Sequence, residues 1–141
     1  MIKYMPKTYF ISGHLDIRQN EWSEHYRQRI DKIIENDPLC CFVIGDARGT
    51  DKLSSKYLWN RGIKNVTIYH MFDKPINNPG FPTKGGFKSD NERDTSMTNN
   101  SDQDIAWVRS EEESKKLYGK RYRKNRISGT QKNINRRKVV H

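Results

Sequence analysis

The chain has 141 residues, the length of one ordinary domain, and its hydrophobic residues (33%) are grouped in short runs that can form one thin core. No run approaches the roughly 20 apolar residues of a membrane span, and the N-terminus lacks the apolar stretch of a signal peptide. The only cysteines, Cys40 and Cys41, are adjacent, so neither a disulfide framework nor a zinc site is predicted. We therefore expect a single cytoplasmic domain over residues 1–141.

The net charge of +10 is unevenly distributed. Residues 1–114 contain 16 Lys or Arg and 17 Asp or Glu, whereas residues 115–141 contain 11 Lys or Arg and no acidic residue. A cationic tail of this kind attracts the phosphates of a small ligand or of nucleic acid, and its charge alone does not distinguish between them.

Strands alternate with helices in the first half of the chain. The pattern predicts strands over Thr8–Ser12, Leu39–Ile44 and Asn65–Met71, and helices over Glu21–Glu35 and about Thr50–Asn60. The second of these strands is an unbroken apolar run, which is typical of a strand buried on both faces of a parallel sheet.

The second half is less regular. Three prolines and three glycines between Phe72 and Lys88 predict a long loop. A polar helix over about Asp90–Asn100 and a fourth strand over Asp104–Val108 follow. Residues 111–127 are rich in charge and poor in apolar residues, so we expect a basic, flexible insertion before a last helix that Ser128-Gly129-Thr130 opens.

This alternation predicts an α/β fold, a Rossmann-like three-layer domain with a parallel sheet in the strand order 3-2-1-4. Ligands of such sheets bind beyond the carboxyl ends of the strands, next to the point where the strand order reverses. The three turns that contain glycine should therefore converge on one cavity.

The turn after the second strand, Gly45 to Asp51, has the sequence GDARGTD and carries the most chemistry. Its glycines let the backbone approach a ligand, its amides at a helix start suit an anion, and Arg48 offers a fork for phosphate or carboxylate. Alternatively, Thr50 or Asp51 caps the helix and Arg48 pairs with Asp46. We favour ligand binding because the turn follows a strongly predicted strand.

The other two turns are weaker signals. Ser128-Gly129-Thr130 places two hydroxyls and a glycine at a helix start beside cations, an arrangement that suits a phosphate or a simple helix cap. The first turn, Ser12-Gly13-His14-Leu15-Asp16, is too short for its Ser, His and Asp to form a hydrolytic triad. His14, Asp16 and His70 at one sheet edge are conceivable metal ligands, but we expect hydrogen bonds instead and predict no metal site.

Arg93 and Met97 lie four residues apart and share one face of the polar helix. An arginine among several acidic residues is more often part of a surface ion pair than a ligand clamp.

The order of these motifs resembles the SLOG superfamily: SGHLD, GDARGTD, RDTSM followed by SDQDIAWV, and SGTQKN. That superfamily includes the cytokinin-activating phosphoribohydrolases, the DNA-processing protein A of bacterial transformation and small YspA-like proteins. The resemblance covers almost the whole chain except residues 111–127. It implies a Rossmann-like fold whose pocket holds a nucleotide or nucleotide derivative.

The resemblance also implies a set of site residues. Gly13 lines the first turn, Arg93 and Met97 flank the pocket, and Gly129 and Thr130 hold the phosphate. The complete predicted ligand site is Ser12, Gly13, His14, Gly45, Asp46, Arg48, Gly49, Thr50, Asp51, Arg93, Met97, Ser128, Gly129, Thr130 and Asn133. Asn133 stands where the phosphoribohydrolases carry a glutamate, so the carboxylate that stabilises an oxocarbenium-like state is missing from that position.

Three functions remain open. The first is a binding or sensor module for a nucleotide-like ligand that needs no cofactor. The second is an N-glycoside hydrolase or transferase in which Asp16, Asp51 or Asp102 replaces the missing glutamate. The third is nucleic-acid binding through Lys115–Lys138, with Tyr118 and Tyr122 as stacking platforms. A homo-oligomer is compatible with all three.

The basic stretch from Lys115 to Arg126 should be mobile without ligand, since it has few apolar residues and many like charges. Its position before the phosphate turn predicts that it folds over an anionic ligand and brings Arg121, Arg123 or Arg126 into contact.

Overall fold

Five parallel strands form the centre of the molecule. A computed structural model describes residues 5–124 and 127–140. In chain order the strands are β1 (Thr8–Ser12), β2 (Cys41–Gly45), β3 (Val66–Met71), β4 (Thr83–Phe87) and β5 (Gln103–Ala106). All four neighbouring pairs are parallel, so the predicted α/β class and parallel sheet are confirmed.

The order of the strands is β4-β3-β2-β1-β5, which differs from the predicted order 3-2-1-4 because the prediction lacked β4. The four predicted strands, now β3, β2, β1 and β5, are neighbours in the predicted order. Strand β4 lies inside the segment Phe72–Lys88 that was predicted to be loop. Its sequence, TKGGF, is polar and mostly exposed, and its register with β3 shifts between Tyr69 and Met71. An edge strand without an apolar face gives no periodic signal, so only its backbone pairing reveals it.

The first helical segment is longer and less regular than predicted. Helix α1 (Gln19–Trp22), a π-helical turn (Ser23–Arg27) and helix α2 (Gln28–Asn36) follow one another without a break. Trp22, Tyr26 and Ile30 recur every four residues and are buried against the sheet. Helix α3 (Thr50–Asn60) has the predicted bounds.

Helices α4 (Asp90–Asn99) and α6 (Gly129–Val140) were also predicted. The segment between β5 and α6 contains a further helix, α5 (Glu111–Tyr118), and a 3₁₀ turn (Gly119–Arg121), although the sequence analysis assigned no regular element there. Ser110 caps α5, because its hydroxyl accepts the Glu113 N–H at 3.1 Å and the Glu113 carboxylate accepts the Ser110 N–H at 2.9 Å.

The sheet separates two apolar cores. Alternate residues of the central strands, such as Ile11 and Ile44, face α1, α2 and α3, whereas Phe10 and Val43 face α4. Alternation within each buried strand therefore builds the predicted three layers. Within the described residues, no helix is long and apolar enough to cross a membrane.

Candidate functional site: a cleft at the carboxyl edge of the sheet

A cleft of about 1140 Å³ opens beyond the carboxyl ends of β1 and β2. All three predicted turns contribute to it, together with α4 and the segment that follows α5. The predicted residues that line it are Ser12, Gly13, His14, Asp16, Gly45, Asp46, Arg48, Asp51, Arg93, Met97, Ser128, Gly129, Thr130 and Asn133. The predicted convergence of the turns on one cavity is confirmed, and their binding of a ligand stays a prediction.

Gly49 and Thr50 do not line the cleft but hold two of its turns together. Thr50 is fully buried, and its hydroxyl donates to the His14 carbonyl oxygen at 3.0 Å. Gly49 has a φ of 76°, and a Cβ there would overlap the Leu15 carbonyl group. A Cβ at Gly13 would likewise overlap the Thr50 side chain. The glycines of these turns therefore permit close backbone packing, which the second turn needs irrespective of any ligand.

Asp102, one of three candidate catalytic carboxylates, lies at the amino ends of the strands, on the opposite side of the sheet from the cleft. Its carboxylate accepts the Thr8 N–H at 2.8 Å, and its own N–H donates to the Thr8 carbonyl oxygen at 2.7 Å. Because Thr8 begins β1, Asp102 lies at the amino end of the strands and not at the cleft. Its contacts join β1 to the start of β5.

Asp46 pairs with Arg93 and not with Arg48. Arg93 Nη1 donates to Asp46 Oδ1 at 2.9 Å, and the Ile76 N–H donates to Asp46 Oδ2 at 2.8 Å. Arg93 also lies 3.1 Å from Asp94 and 3.3 Å from Asp90. The expectation of a surface pair for Arg93 is wrong, since its side chain is only 9% exposed.

Arg48 is exposed at the mouth of the cleft. Its guanidinium makes no hydrogen bond or salt bridge to any residue in the described parts of the chain. An arginine fork that is not occupied by the protein is available for an anionic ligand.

Asp51 lies deeper in the same turn, and its residue surface is only 8% exposed. Its carboxylate accepts the Ala47 N–H at 3.2 Å but forms no salt bridge within residues 5–124 and 127–140. Burial raises the pKa of this carboxyl group to about 7, against the opposing charge of Arg93. Gly45 makes room for it, because a Cβ there would lie 2.7 Å from Asp51 Oδ2.

The sequence analysis missed Arg109, the best-connected side chain near the cleft. Its guanidinium is fully buried and donates to Glu21 at 2.8 and 2.9 Å and to Asp16 at 2.9 Å. These hydrogen bonds lower the pKa of Glu21 to about 2. The available signal was its position just after β5, at the carboxyl edge of a parallel sheet.

Asp16, the second candidate catalytic carboxylate, is exposed but bonds to this buried guanidinium. Arg109 and the Tyr118 hydroxyl, which donates to Asp16 Oδ2 at 2.6 Å, occupy its oxygens. Burial acts to raise the pKa of Asp16, but these hydrogen bonds leave it below its usual range. Asp16 is therefore held as an ion-paired carboxylate that fastens α5 to the first turn.

The two histidines are hydrogen-bonded to backbone groups. His14 Nε2 accepts the Arg109 N–H at 3.0 Å, and burial together with the Arg109 charge lowers the pKa of His14. His70 Nδ1 lies 3.0 Å from the Met71 carbonyl oxygen, and His70 does not line the cleft. Among the residues that the structure describes, no three His, Cys, Asp or Glu side chains are placed to hold a metal ion.

The sequence motifs point to a superfamily by resemblance alone. No family model, curated protein or solved structure matches the chain. The chemistry of the site therefore has to be inferred from its own residues.

The start of α6 is open to the cleft. The Ser128 hydroxyl accepts the Gln131 N–H at 3.1 Å and so caps the helix, which is the alternative to phosphate binding that the sequence predicted for this turn. A Cβ at Gly129 would meet no atom within 4 Å, so packing does not require a glycine there. The N–H groups of Gly129 and Thr130 belong to the first helical turn, where no acceptor within the helix is available. This end of the cleft suits an anion.

Three cations of the basic segment, Arg121, Arg123 and Lys124, line the same end of the cleft. Arg126 lies outside the described residues. At the carboxyl end of β1, the buried Ser12 hydroxyl lines the cleft and has no hydrogen-bond partner among the described residues. A buried hydroxyl without a partner is unfavourable unless a water molecule or a ligand bonds to it.

The two tyrosines predicted as stacking platforms are engaged within the protein. Tyr118 bonds to Asp16, while the Tyr122 hydroxyl donates to Glu111 at 3.1 Å and its ring lies 5.6 Å from the Lys115 ammonium. In α6, Arg137 binds Asp104 at 3.0 Å. Part of the cationic tail is therefore used to attach α5 and α6 to the domain.

Proposed function

We propose that the cleft binds a nucleotide or nucleotide-derived ligand and that the protein is a binding or sensor module of the SLOG kind. The observation that carries this proposal is the convergence of anion-binding groups on one cleft. Arg48, the start of α6 and the cations after α5 line it together with the exposed carboxylates of Asp16, Asp90 and Glu111, whereas Asp46 and Asp51 are buried.

The charges suggest how the ligand is oriented. A phosphate is favoured beside Arg48 and the N–H groups of Gly129 and Thr130. Polar groups of the rest of the ligand suit the buried carboxyl groups, since a carboxylate accepts hydrogen bonds and a protonated carboxyl group can also donate one. The volume of about 1140 Å³ is ample for a nucleotide, since pockets for small ligands usually measure about 300–1,000 Å³.

Exposed apolar side chains at the rim of the cleft favour a ligand that carries a flat, weakly polar group. Leu15, Ile76 and Ile127 line the cleft, yet they are 51%, 78% and 56% exposed. Covering these side chains with a base would remove apolar surface from water. A purely inorganic anion would leave them exposed.

The N-glycoside hydrolase or transferase is the second candidate function, and Asp51 is the observation that favours it. Of the three carboxylates considered, it alone lines the cleft without a salt bridge to a described residue. Groups with a strongly shifted pKa in clefts are common among acid–base residues, although buried structural groups show such shifts as well.

Mass spectrometry of small molecules released from the purified, denatured protein tests the proposal. We expect a phosphorylated compound with a heterocyclic base, recovered in proportion to the protein. Thermal unfolding with a panel of nucleoside mono- and diphosphates is the companion measurement, since a ligand of the folded state raises the melting temperature. Neither a recovered compound nor a stabilising nucleotide would contradict the proposal.

A further inference from the structure

Asp51 is a buried carboxylate in the cleft without a cation of its own. The nearest guanidinium, that of Arg93, donates to Asp46 at 2.9 Å and to Asp94 at 3.1 Å. It also lies 3.3 Å from Asp90. One positive charge thus serves three other carboxylates, whereas Asp51 accepts a hydrogen bond from the Ala47 backbone N–H.

The groups that face Asp51 favour its neutral form. Asp46 from its own turn and Asp94 from α4 both act to raise its pKa, and Arg93 from α4 opposes them. Tyr26, in the π-helical turn, also lies near Asp51. Burial raises the pKa of this phenol, so it stays neutral. The α6 side chains Asn133 and Arg136 act on Asp94. Burial remains the largest influence, and it disfavours the carboxylate.

We propose that ligand binding in the cleft is coupled to the uptake of one proton from solvent by Asp51, whose carboxyl group then donates a hydrogen bond to the ligand. The acceptor is an oxygen or an unprotonated ring nitrogen, groups that nucleobases present. This inference rests on the proposed function and adds the protonation state in which the site binds.

The direction of the proton transfer follows from two effects of the ligand. A bound molecule displaces water from the carboxylate, and its phosphate brings negative charge into the cleft. Both raise the pKa of Asp51 above its value in the free protein, which is about 7. Affinity is therefore expected to fall as the pH rises above about 7, by at most about tenfold per pH unit.

The test is isothermal titration calorimetry of the wild-type protein with adenosine monophosphate (AMP) near pH 8, in two buffers with different enthalpies of ionisation. Uptake of protons on binding makes the observed heat depend on the buffer. We expect an uptake approaching one proton per site, with affinity that increases when the titration is repeated near pH 6.

Asp51→Asn assigns the proton to its residue. The amide is nearly isosteric, keeps an acceptor for the Ala47 N–H and carries a permanent donor, so binding should persist while proton uptake and most of the pH dependence are lost. Asp73→Asn is the matched control, since Asp73 is exposed and does not line the cleft. It should retain the wild-type uptake.

The outcomes separate this inference from the proposed function. AMP binding without proton uptake by the wild-type protein overturns the inference and leaves the proposed function intact. Uptake that persists in a folded Asp51→Asn protein overturns the assignment to Asp51. Absence of AMP binding at both pH values counts against the proposed function and the inference together. If Asp51→Asn does not fold, the wild-type proton count decides.

Discussion

Two arginines at the same cleft have opposite roles at the scale of the residue. Arg93 is buried, and its donors are used by Asp46 and Asp94, so it neutralises the floor of the cleft. Arg48 is exposed and makes no hydrogen bond or ion pair to a described residue. Loss of a buried ion-pair partner is costly for folding, whereas loss of an exposed, unpaired arginine is not.

Arg48→Ala should therefore weaken nucleotide binding and hardly change the free energy of unfolding. The expected loss is about 1.5–3 kcal/mol of binding free energy, which is typical of a charge-assisted hydrogen bond. Calorimetric titration with AMP measures it, and Arg27→Ala at an exposed arginine away from the cleft is the control. Unaltered affinity in folded Arg48→Ala protein would exclude a role for Arg48 as a clamp.

At the scale of the element, Arg109 joins three segments that are distant in sequence. It follows β5, and its guanidinium bonds to Glu21 in α1 and to Asp16 in the first turn. Tyr118 of α5 bonds to the same Asp16 carboxylate. Through these contacts the basic segment is held beside the cleft.

Glu21→Gln should lower the free energy of unfolding at neutral pH by about 3–5 kcal/mol, because it removes one partner of a buried ion pair. A carboxyl group whose pKa is lowered to about 2 contributes stability above its unfolded pKa of 4.5 and loses it as the pH falls toward 2. The difference between Glu21→Gln and wild-type protein should therefore shrink in acid.

Urea denaturation at a series of pH values measures this difference. Glu35→Gln, at an exposed position of α2, is the control and should unfold like the wild type. Equal stability of Glu21→Gln and wild-type protein at neutral pH would show that the ion pair makes no net contribution to stability.

The cationic tail from Lys115 onward offers a matched pair of triple variants. Arg121, Arg123 and Lys124 line the cleft, whereas the exposed Lys116, Lys120 and Lys132 do not. Replacing the first three by alanine should weaken AMP binding, while replacing the second three should leave it unchanged. Both variants lose the same formal charge, so a general electrostatic effect would act on them equally.

Retention on single-stranded RNA distinguishes the alternative role of the tail. A nucleic-acid arm predicts that both triple variants lose retention, since contacts with phosphates add along a cationic surface. Intact AMP affinity in the cleft-lining variant, combined with lost RNA retention, would contradict the expectation that this segment folds over a small ligand.

At the scale of the whole molecule, the topology of the sheet places the cleft. Strand β2 lies on one side of β1 and β5 lies on the other, so the order of the strands reverses at β1. The three turns meet beyond the carboxyl ends of the strands at this point. Strand β4 extends the far edge of the sheet without adding to this meeting point, since none of its residues lines the cleft. The predicted convergence of the three turns therefore held although the predicted strand order lacked β4.

Turnover of nucleoside monophosphates to free base should be weak or absent in the wild-type protein. Asn133 lines the cleft, is buried and hydrogen-bonds to Arg136, but its amide cannot supply the negative charge that stabilises a developing cation. Chromatographic measurement of released base tests this. Robust turnover that survives Asn133→Ala and disappears in Asp51→Asn would establish an N-glycoside hydrolase instead.

The sequence by itself determined the elements that have strong local signals. Strand β2 is an unbroken apolar run and α3 has a clear start and end, so both were predicted closely. The alternation of such elements determined the parallel sheet and, through it, the edge at which the turns meet. Strand β4 was not predicted because its glycines and polar residues have no hydrophobic periodicity. Helix α5 was not predicted because its charges resemble those of a disordered segment.

Only the tertiary structure decided what each charged residue does. In the sequence, Asp16, Asp51 and Asp102 are three equally plausible catalytic carboxylates. In the structure, Asp16 is ion-paired, Asp51 is buried without a salt bridge to a described residue, and Asp102 lies at the amino ends of the strands. The partner of an arginine depends on residues up to 93 positions away in the chain, as Arg109 and Asp16 illustrate. Burial and long-range pairing set the charge state of a side chain, and neither is encoded in its local sequence.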